Sequence, residues 1–334
     1  MKILIAGAGG FIGGHLSNSL KKDGFEIICA DIKPIESWFQ YDNTNLNFSL
    51  DLKEYDNCLA VTKNVDFVYN MACNMGGMGF IENNKAECML SVLINTNLLR
   101  ACLKNKIKKY FFSSSACVYN ASKQLKSFVN GLKEDDAYPA MPEDGYGWEK
   151  LFSERMCRHF YEDYGLETRV ARYHNVYGPF GTYDGGREKA PAALCRKIII
   201  AKNLGEKQID VWGDGEQTRS FMFIDDCIKG TKKIFDSSCK KVLNLGSEEQ
   251  VSINQMISII EDIGGYKVKK NYQLNKPKGV RGRSSNNDLV KKEIKWDTEV
   301  SLRSGLEITY KWIEKEISKK LNNNKFTKNI EFIS

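Results

Sequence analysis

The chain has 334 residues, of which 42% are hydrophobic and 27% are charged, so it can form one large α/β domain or two linked lobes. No continuous apolar run reaches the ~18 residues that cross a bilayer, which argues against a membrane partner. The ten cysteines are isolated in the sequence, which argues against a metal site and against disulfides. The chain has no recognisable nucleic-acid-binding motif, so we predict no nucleic-acid partner. Its net charge of +7, spread along the chain, would suit an anionic small ligand such as a nucleotide diphosphate.

The N-terminal segment has the pattern of a dinucleotide site. An apolar strand, Lys2–Ala6, runs into a glycine-rich turn and an amphipathic helix, and a second strand, Glu26–Ala30, ends at an acidic residue. Such glycines let the backbone approach a pyrophosphate, and the acid can bind ribose hydroxyls while repelling a 2′-phosphate. This order of strand, glycine-rich turn, helix, strand and acidic residue predicts NAD as the cofactor, although Lys33 leaves NADP open. The predicted contacts with the cofactor are Gly7, Gly10, Phe11, Ile12, Gly13 and Asp31.

The early glycines are unlike a signal peptide, so we expect a cytoplasmic protein.

Alternating strands and helices continue through the first half of the chain. The strand 47–50 ends at Asp51, which we expect on the adenine side of the cofactor. The strand 66–71 leads into a loop that contains Gly76 and Gly77, and a helix over 82–105 precedes the strand Lys109–Ser113. Repeated βα units of this kind predict a Rossmann-type doubly wound parallel sheet, with ligands at the carboxyl ends of the strands.

A tyrosine and a lysine at helical spacing follow the last of these strands. Tyr146 and Lys150 lie one turn apart in a helix predicted to begin near Asp144, so both side chains share one face. An ammonium near a phenol favours its ionised form and lowers its pKa from about 10, which makes a base for an alcohol proton. The spacing occurs four times in the chain, but only this pair opens a helix beside the predicted crevice.

The combined motifs resemble the extended short-chain dehydrogenase/reductases that modify nucleotide sugars. The residues that carry the resemblance are the GAGGFIG turn, the strand-end Ser115, the Tyr146/Lys150 pair and Asn175-Val-Tyr-Gly-Pro179. Within this family, further blocks are similar to the GDP-mannose 3,5-epimerases: residues 74–80, 114–119, 173–182, 185–191, 217–221 and 279–283.

The resemblance implies a set of catalytic and binding residues. Tyr146 and Lys150, which also contact NAD, would remove the C4 hydroxyl proton beside Ser115 while NAD takes the hydride. Cys117 would then act as a base and Lys189 as an acid at C3 and C5, although a buried cysteine and a surface lysine are the ordinary interpretations of these two residues. The implied sugar-nucleotide contacts are Gly76, Gly77, Ser115, Ala116, Cys117, Asn175, Glu188, Lys189, Ala190, Lys197, Gln217, Thr218, Arg219 and Arg281.

This resemblance predicts an NAD-dependent isomerase that converts GDP-mannose to GDP-L-galactose and GDP-L-gulose through a 4-keto sugar. Two alternatives stay open: another nucleotide-sugar epimerase such as a 4-epimerase, and a non-catalytic NAD-binding regulator. A 4,6-dehydratase is disfavoured because Ala116 and Cys117 stand where that class has an acidic pair.

The chain is predicted to form two interwoven lobes. Residues 1–172 and about 220–247 would form the NAD-binding domain, and residues 173–219 and 248–321 a smaller α/β substrate lobe. The polar residues 322–334 are predicted to be a disordered tail. By resemblance, helices about 84–105 and 146–163 form the face of a homodimer.

Overall fold

The structure is a computed structural model that describes residues 1–322. Its central feature is a seven-stranded sheet of β1 (Lys2–Ala6), β2 (Glu26–Asp31), β3 (Leu46–Ser49), β4 (Phe67–Asn70), β5 (Lys109–Ser115), β6 (Glu167–Tyr173) and β11 (Leu243–Leu245). The strand order is β11-β6-β5-β4-β1-β2-β3, and every neighbouring pair is parallel. The predicted doubly wound parallel sheet is confirmed.

Helices cover both faces of the sheet. The helices of the chain are α1 (Phe11–Lys22), α2 (Tyr55–Val61), α3 (Met78–Asn83), α4 (Lys85–Met89), α5 (Ser91–Lys104), α6 (Asp144–Tyr164), α7 (Ala190–Leu204), α8 (Ile224–Asp236), α9 (Ile253–Gly264), α10 (Asp288–Ile294) and α11 (Leu302–Asn322). Successive strand residues face opposite sides, as pleating requires. Phe111 therefore packs into one hydrophobic cluster, whereas Tyr110 and Phe112 pack into the other.

Three small sheets lie beyond the carboxyl ends of the large one. They comprise β7 (Val176–Tyr177) with β10 (Met222–Phe223), β8 (Gln208–Trp212) with β13 (Lys269–Gln273), and β9 (Thr218–Ser220) between β12 (Gln250–Ser252) and β14 (Gly282–Arg283). Between the strands of these sheets the chain returns to the large sheet as β11. The division into two lobes at the predicted boundaries remains a prediction, and the tail beyond residue 322 lies outside the described residues.

The helix predicted over 82–105 is divided into three. Asn84, with φ −131° and ψ 48°, interrupts it after α3, and Leu90 separates α4 from α5. The stretch Lys85–Lys104 is long and apolar enough to cross a bilayer by length and composition alone, with a mean hydropathy of 1.2. The search of the sequence for a continuous apolar run of ~18 residues did not find this stretch, because polar residues interrupt it. A core helix passes the same test, and Leu98, Leu99 and Cys102 of α5 are fully buried in the sheet's cluster.

Candidate active site

The glycine-rich turn after β1 has the close packing that a dinucleotide cradle requires. Gly7 has φ +86°, in the region that favours glycine. A Cβ on Gly13 would lie 2.1 Å from the carbonyl oxygen of Gly7, so only glycine lets α1 begin against the turn. Gly10 is the N-cap of α1, which Phe11 and Ile12 open. A helix N-terminus at a tight turn suits a pyrophosphate, so these residues fit the predicted cofactor.

Two acidic residues lie at the carboxyl ends of the neighbouring strands β2 and β3, as predicted. Asp31 ends β2, is buried, and accepts a hydrogen bond from the backbone N–H of Lys33 at 3.0 Å. Burial raises the pKa of its carboxyl against the opposing effect of backbone hydrogen bonds from Lys33, Gly9 and Ile32. Asp51 lies two residues after β3 and accepts a bond from the N–H of Lys53 at 2.8 Å.

Tyr146 and Lys150 project from the first turns of α6 into the interior. The ammonium lies 5.7 Å from the centre of the Tyr146 ring and 4.7 Å from that of Phe112. The pKa of the Tyr146 phenol is raised well above its usual value by burial, although a hydrogen bond with Ser115 opposes the shift. The predicted lowering of this pKa is therefore wrong for the free protein, because burial outweighs the Ser115 hydrogen bond.

The Lys150 ammonium is a buried charge without a hydrogen-bond partner among residues 1–322. Its side chain is 1% exposed and its nearest carboxylate oxygen, on Glu149, lies 3.6 Å away. Burying such a group is costly unless something compensates it. The ribose hydroxyls of a dinucleotide would supply acceptors, which is a second feature that fits NAD.

Cys117 lies in a 3₁₀ turn, residues 116–118, that follows β5 directly. Its backbone N–H donates to Ser115 Oγ at 3.2 Å, and its carbonyl accepts from the N–H of Glu143 at 2.9 Å. A Cβ on Gly147 would lie 2.4 Å from that carbonyl oxygen, so a glycine in the first turn of α6 lets the helix pack against Cys117. The thiol and the Tyr146 phenol share one small buried cluster.

Burial raises the pKa of the Cys117 thiol to about 11, and the charge of Glu143 adds to the shift while Arg283 opposes it. Burial lowers the pKa of Lys189, against the effect of the Cys117 thiolate. Before a substrate binds, the first of these shifts favours a protonated thiol, and the second makes the Lys189 ammonium a stronger acid than a free lysine. The assignment of Cys117 as base and Lys189 as acid stays a prediction.

Lys189 is held at the site by the loop that precedes α7. It is the N-cap residue of that helix, and Ala190 begins it. The Gly77 N–H donates to the Arg187 carbonyl at 3.0 Å, and a Cβ on Gly77 would lie 2.4 Å from the Glu188 carbonyl oxygen. A Cβ on Gly76 would also contact Phe80 and Arg187. The loop therefore lies directly on the glycine-rich segment that follows β4.

The other predicted sugar-nucleotide residues are divided between two groups of contacts. Around β9, Gln217 donates to the Trp212 carbonyl at 2.8 Å, Thr218 donates to Ser127, and Arg219 donates to the Lys278 carbonyl at 3.1 Å. Around α7, Glu188 accepts from Arg196 at 3.0 Å and Lys197 donates to the Asp210 carbonyl at 2.7 Å. Asn175, after β6, donates to the Ser220 carbonyl at 3.0 Å.

Burial also changes the protonation equilibria of the cations in these groups. It lowers the pKa of Arg219 to about 10, and the neighbouring Arg283 charge adds to the effect. Burial likewise lowers the pKa of Lys197. Excess positive charge in a partly dry site is compensated by an anionic ligand, and a diphosphate has the matching charge.

A cavity of about 890 Å³ opens beside this region, lined by Met78, Ile81, Gln124, Glu143, Lys278 and Arg281 among others. Arg281 pairs with Asp214 at 2.8 Å. Arg281 is the one predicted site residue among those that line this cavity. The predicted site residues on β5, α6 and α7 therefore lie outside it.

Three side chains at the centre of the site were not predicted. Glu143 and Arg283 form a buried ion pair next to Cys117, and the Cys73 thiol hydrogen-bonds with Tyr146. Arg283 lies in the Gly-Val-Arg-Gly-Arg block that the resemblance included, and Glu143 immediately precedes α6. No spacing rule joins two residues 140 positions apart, so their pairing could be found only in three dimensions.

Comparison with known proteins places this geometry among nucleotide-sugar enzymes. The NAD dependent epimerase/dehydratase family profile matches residues 3–246. GDP-mannose 3,5-epimerase 1 of Oryza sativa subsp. indica is 45% identical over 320 residues, which cover 96% of this chain and 83% of the rice protein.

Two solved structures have the same fold over nearly the whole chain. The UDP-glucose 4-epimerase of Thermotoga maritima, solved with UDP-glucose, has a TM-score of 0.86 at 23% identity and covers 95% of this chain and 100% of its own. The UDP-glucuronic acid 4-epimerase of Bacillus cereus, solved with UDP-glucuronic acid and NAD, has a TM-score of 0.81 at 27% identity with the same coverage.

Proposed function

This chain belongs to the NAD dependent epimerase/dehydratase family, and on that premise we propose that it converts GDP-mannose to GDP-L-gulose and GDP-L-galactose. It is a nucleotide-sugar epimerase with NAD as its cofactor. The GDP-mannose substrate is supported by the plant relatives that bear this activity in their names, at 44–45% identity.

The observation that carries the proposal is the juxtaposition of three proton-transfer groups. The Cys117 thiol shares a buried cluster with the Tyr146 phenol, and Lys189 interacts electrostatically with Cys117. Moving a hydride to and from C4 requires one acid–base residue, whereas inverting C3 or C5 requires two more. A thiol and an amine with shifted pKa values beside Tyr146 supply them.

The first step acts at C4 of the sugar. NAD, when bound, accepts the C4 hydride and returns it at the end of the cycle. Tyr146 takes the C4 hydroxyl proton as a phenolate, and the Lys150 ammonium, one turn further along α6, stabilises that phenolate. The resulting C4 ketone acidifies the hydrogens on C3 and C5.

The second step exchanges protons at those carbons. Cys117 takes a proton from the carbon, and the Lys189 ammonium, whose pKa burial lowers, returns one from the opposite face, in the order that the resemblance implies. The C–H bond breaks toward sulfur and a new one forms as an N–H bond breaks, so the proton count is conserved. Inversion at C5 alone gives the gulose product, and inversion at both carbons gives the galactose product.

The binding groups around the crevice support a nucleotide diphosphate. Arg219, Arg281 and Lys197 carry positive charge, although an ion pair with Asp214 offsets that of Arg281, and Gln217 has a buried side-chain oxygen without a hydrogen-bond partner among the described residues. We assign these four residues, with Asn175 and the Thr218 hydroxyl, to the substrate.

Substrate and product identity test this proposal. Purified protein, without added NAD, is incubated separately with GDP-mannose and UDP-glucose, and the products are identified by proton spectra. We expect two new GDP-hexoses from the first substrate and no reaction with the second. Formation of UDP-galactose alone would identify a 4-epimerase and contradict the proposal.

A homodimer is proposed from the surface of the helices that precede and include α6. Four large apolar side chains are each 41–54% exposed: Leu90 just before α5, Leu93 on α5, and Trp148 and Phe152 on α6. Contiguous exposed apolar surface of this kind is typical of an interface. The cytoplasmic location stays a prediction from the sequence.

A further inference from the structure

Residues 178–189 form the substrate loop, which begins on helix α1. His15 of this helix donates a hydrogen bond from Nε2 to the Pro179 carbonyl oxygen at 3.0 Å. A Cβ on Gly181 would lie 3.6 Å from the ring of Phe11, so the loop also lies against the first residue of α1. The start of the loop is therefore held by the same helix that the glycine-rich turn opens.

Phe180 joins this contact to the segment that follows β2. Its ring is stacked on that of Phe39, with 4.6 Å between the ring centres and an angle of 11° between the planes. The His15 ring lies 5.1 Å from Phe39 and 5.9 Å from Phe180, and Trp312 of α11 lies 5.5 Å from Phe180. Phe180 has φ +65°, where a bulky side chain is strained. Such a conformation persists only where the surrounding contacts impose it, so the aromatic cluster determines the shape of the loop.

The residues on either side of Phe39 pack on the glycine-rich turn. Trp38 is 4% exposed, and a Cβ on Gly9 would lie only 2.4 Å from its indole nitrogen. Gln40 donates a hydrogen bond to the Ala8 carbonyl. Three consecutive side chains thus contact the turn at two points and the substrate loop at a third. They form a continuous path of packed groups between the cofactor site and the loop.

We propose that His15 and Phe39 are positioning residues for the substrate loop, and that they couple this loop to NAD binding at the glycine-rich turn. The inference rests on the proposed function, because that function makes the loop, through Lys189, part of the reacting site. NAD bound at the turn restrains the residues that pack on it, and through Phe39 these restrain Phe180 and the loop. Coupling of this kind is reciprocal, so the ordered loop also retains NAD.

The far end of the loop has a separate anchor, in which Arg187 contacts Asn74 and Phe80. Between the two anchors, Gly185 and Gly186 have φ +90° and +84°, and no described atom lies within 4 Å of a Cβ at either position. Glycines in open space transmit little restraint, because they have access to many backbone conformations. Loss of the Arg187 anchor should therefore leave the aromatic cluster in place, which makes Arg187→Ala a matched comparison within the same loop.

The rate of NAD release tests the coupling. Protein purified with its NAD is mixed with an excess of alcohol dehydrogenase and ethanol, which reduce each released NAD, and the reaction is followed at 340 nm. We expect Phe180→Ala to release NAD at least about fivefold faster than the wild type, the lower end of typical coupling between sites. Arg187→Ala should release it at the wild-type rate. Wild-type release from Phe180→Ala, or equally fast release from both variants, would overturn the coupling.

Amide hydrogen exchange of residues 182–188 in the NAD-loaded protein tests the positioning. We expect Phe39→Ala and His15→Ala to speed exchange in this stretch about tenfold, because the start of the loop then opens more often. Phe39→Tyr, which keeps a stacked ring, should restore the wild-type rate. Tyr41→Ala, a change at an exposed tyrosine of the same segment, is the control and should also exchange at that rate.

Two outcomes of the exchange experiment would contradict the positioning role. One is wild-type exchange of residues 182–188 in Phe39→Ala. The other is exchange that rises as much in α9 as in the loop, because a general loss of stability would then explain the effect.

Neither experiment uses a sugar nucleotide, so each gives its answer whichever substrate the enzyme accepts. Failure of the proposed function would appear as the absence of new GDP-hexoses from GDP-mannose. Failure of this inference would appear as unchanged NAD release and unchanged loop exchange in the variants. The two failures are therefore distinguishable.

Discussion

Three buried ionisable side chains lie at the site: Tyr146, Cys117 and Lys189. Burial shifts the pKa of each in a direction set by the charge of its ionised form. For the phenol and the thiol, whose ionised forms are anions, burial raises the pKa, and for the amine, whose ionised form is a cation, it lowers the pKa. All three groups are therefore biased toward neutrality in the free protein. The charge of Arg283 acts on two of them, because it lowers the pKa of Cys117 and that of Lys189.

Removal of the Cys117 thiol or the Lys189 amine should separate C4 oxidation from proton exchange at C3 and C5. In Cys117→Ala and Lys189→Ala, we expect deuterium exchange at the sugar carbons to fall at least about a thousandfold, within the range for loss of a general acid or base. NAD should still copurify, because neither change alters the glycine-rich turn. Exchange at the wild-type rate in both variants would contradict their assignment.

A buried histidine predicts a specific acid sensitivity of the fold. His174 Nε2 donates a hydrogen bond to Asn244 Oδ1 at 3.1 Å, and burial lowers the pKa of the imidazole from 6.5 to about 3. The unfolded chain then binds a proton that the folded protein excludes, so stability is fully present above pH 6.5 and is lost as the pH falls toward 3. Between pH 6.5 and 5.5 the loss amounts to about 1 kcal/mol.

Urea unfolding at pH 7.5 and pH 5.5 measures this effect. His174→Gln should lose less stability between the two conditions than the wild type does. His159→Gln, a change at an exposed position of α6, should behave like the wild type. An equal loss in all three proteins would remove His174 as the cause.

The positions of the catalytic side chains could be predicted from the sequence, but their electrostatics could not. Helical spacing places Tyr146 and Lys150 on one face, and the strand pattern places Ser115 at the end of β5. Burial depends on elements far away in the chain, such as the Arg283 strand that closes over Cys117. The direction of the Tyr146 shift was therefore predicted wrongly.

At the level of elements, α6 and the 185–189 loop bring the reacting groups to the end of β5. The loop is fastened by Arg187, whose Nη1 donates to Asn74 Oδ1 at 3.0 Å and whose guanidinium lies 3.8 Å from the centre of the Phe80 ring. This contact fixes the segment that carries Lys189. The family pattern identified the loop, but its anchor on the residues after β4 is visible only in the structure.

Loss of this anchor should weaken the site without removing a reacting group. We expect Arg187→Ala to lower kcat/KM about tenfold, since an exposed cation–π contact and a charge-assisted hydrogen bond together contribute about 1–2 kcal/mol. Arg158→Ala is the control, because Arg158 is an exposed arginine with an ion pair on α6, away from the loop. Equal kinetics for Arg187→Ala and the wild type would show that the loop does not depend on this contact.

For the whole molecule, the alternation of strands and helices was sufficient to predict the parallel sheet. The small sheets were harder to predict, because β7, β10 and β14 have two residues each and no periodicity to detect. The return of the chain to the large sheet as β11 joins both parts of the molecule through the segment that contains Asn244. The same segment buries the Asn244 contact with His174.

The exposed apolar side chains on α5 and α6 predict a homodimer, which charged substitutions at these positions should dissociate. Light scattering should give the wild type twice the 38.0 kDa mass of the chain, and Leu93→Glu combined with Phe152→Glu should give the single-chain mass. Leu204→Glu, at an exposed apolar position that ends α7, is the control and should leave the larger mass unchanged. A wild-type protein of 38.0 kDa would contradict the dimer.

Position-specific exchange in heavy water tests the central claim most directly. The protein is incubated with GDP-mannose in D₂O, and the deuterium content of each sugar carbon is read from proton and mass spectra. The account predicts deuterium at C3 and C5 of new GDP-hexoses and none at C4, since that hydrogen travels through the cofactor. A new sugar isomer without solvent deuterium at C3 or C5 would show that Cys117 and Lys189 do not perform these proton transfers, and would contradict the account.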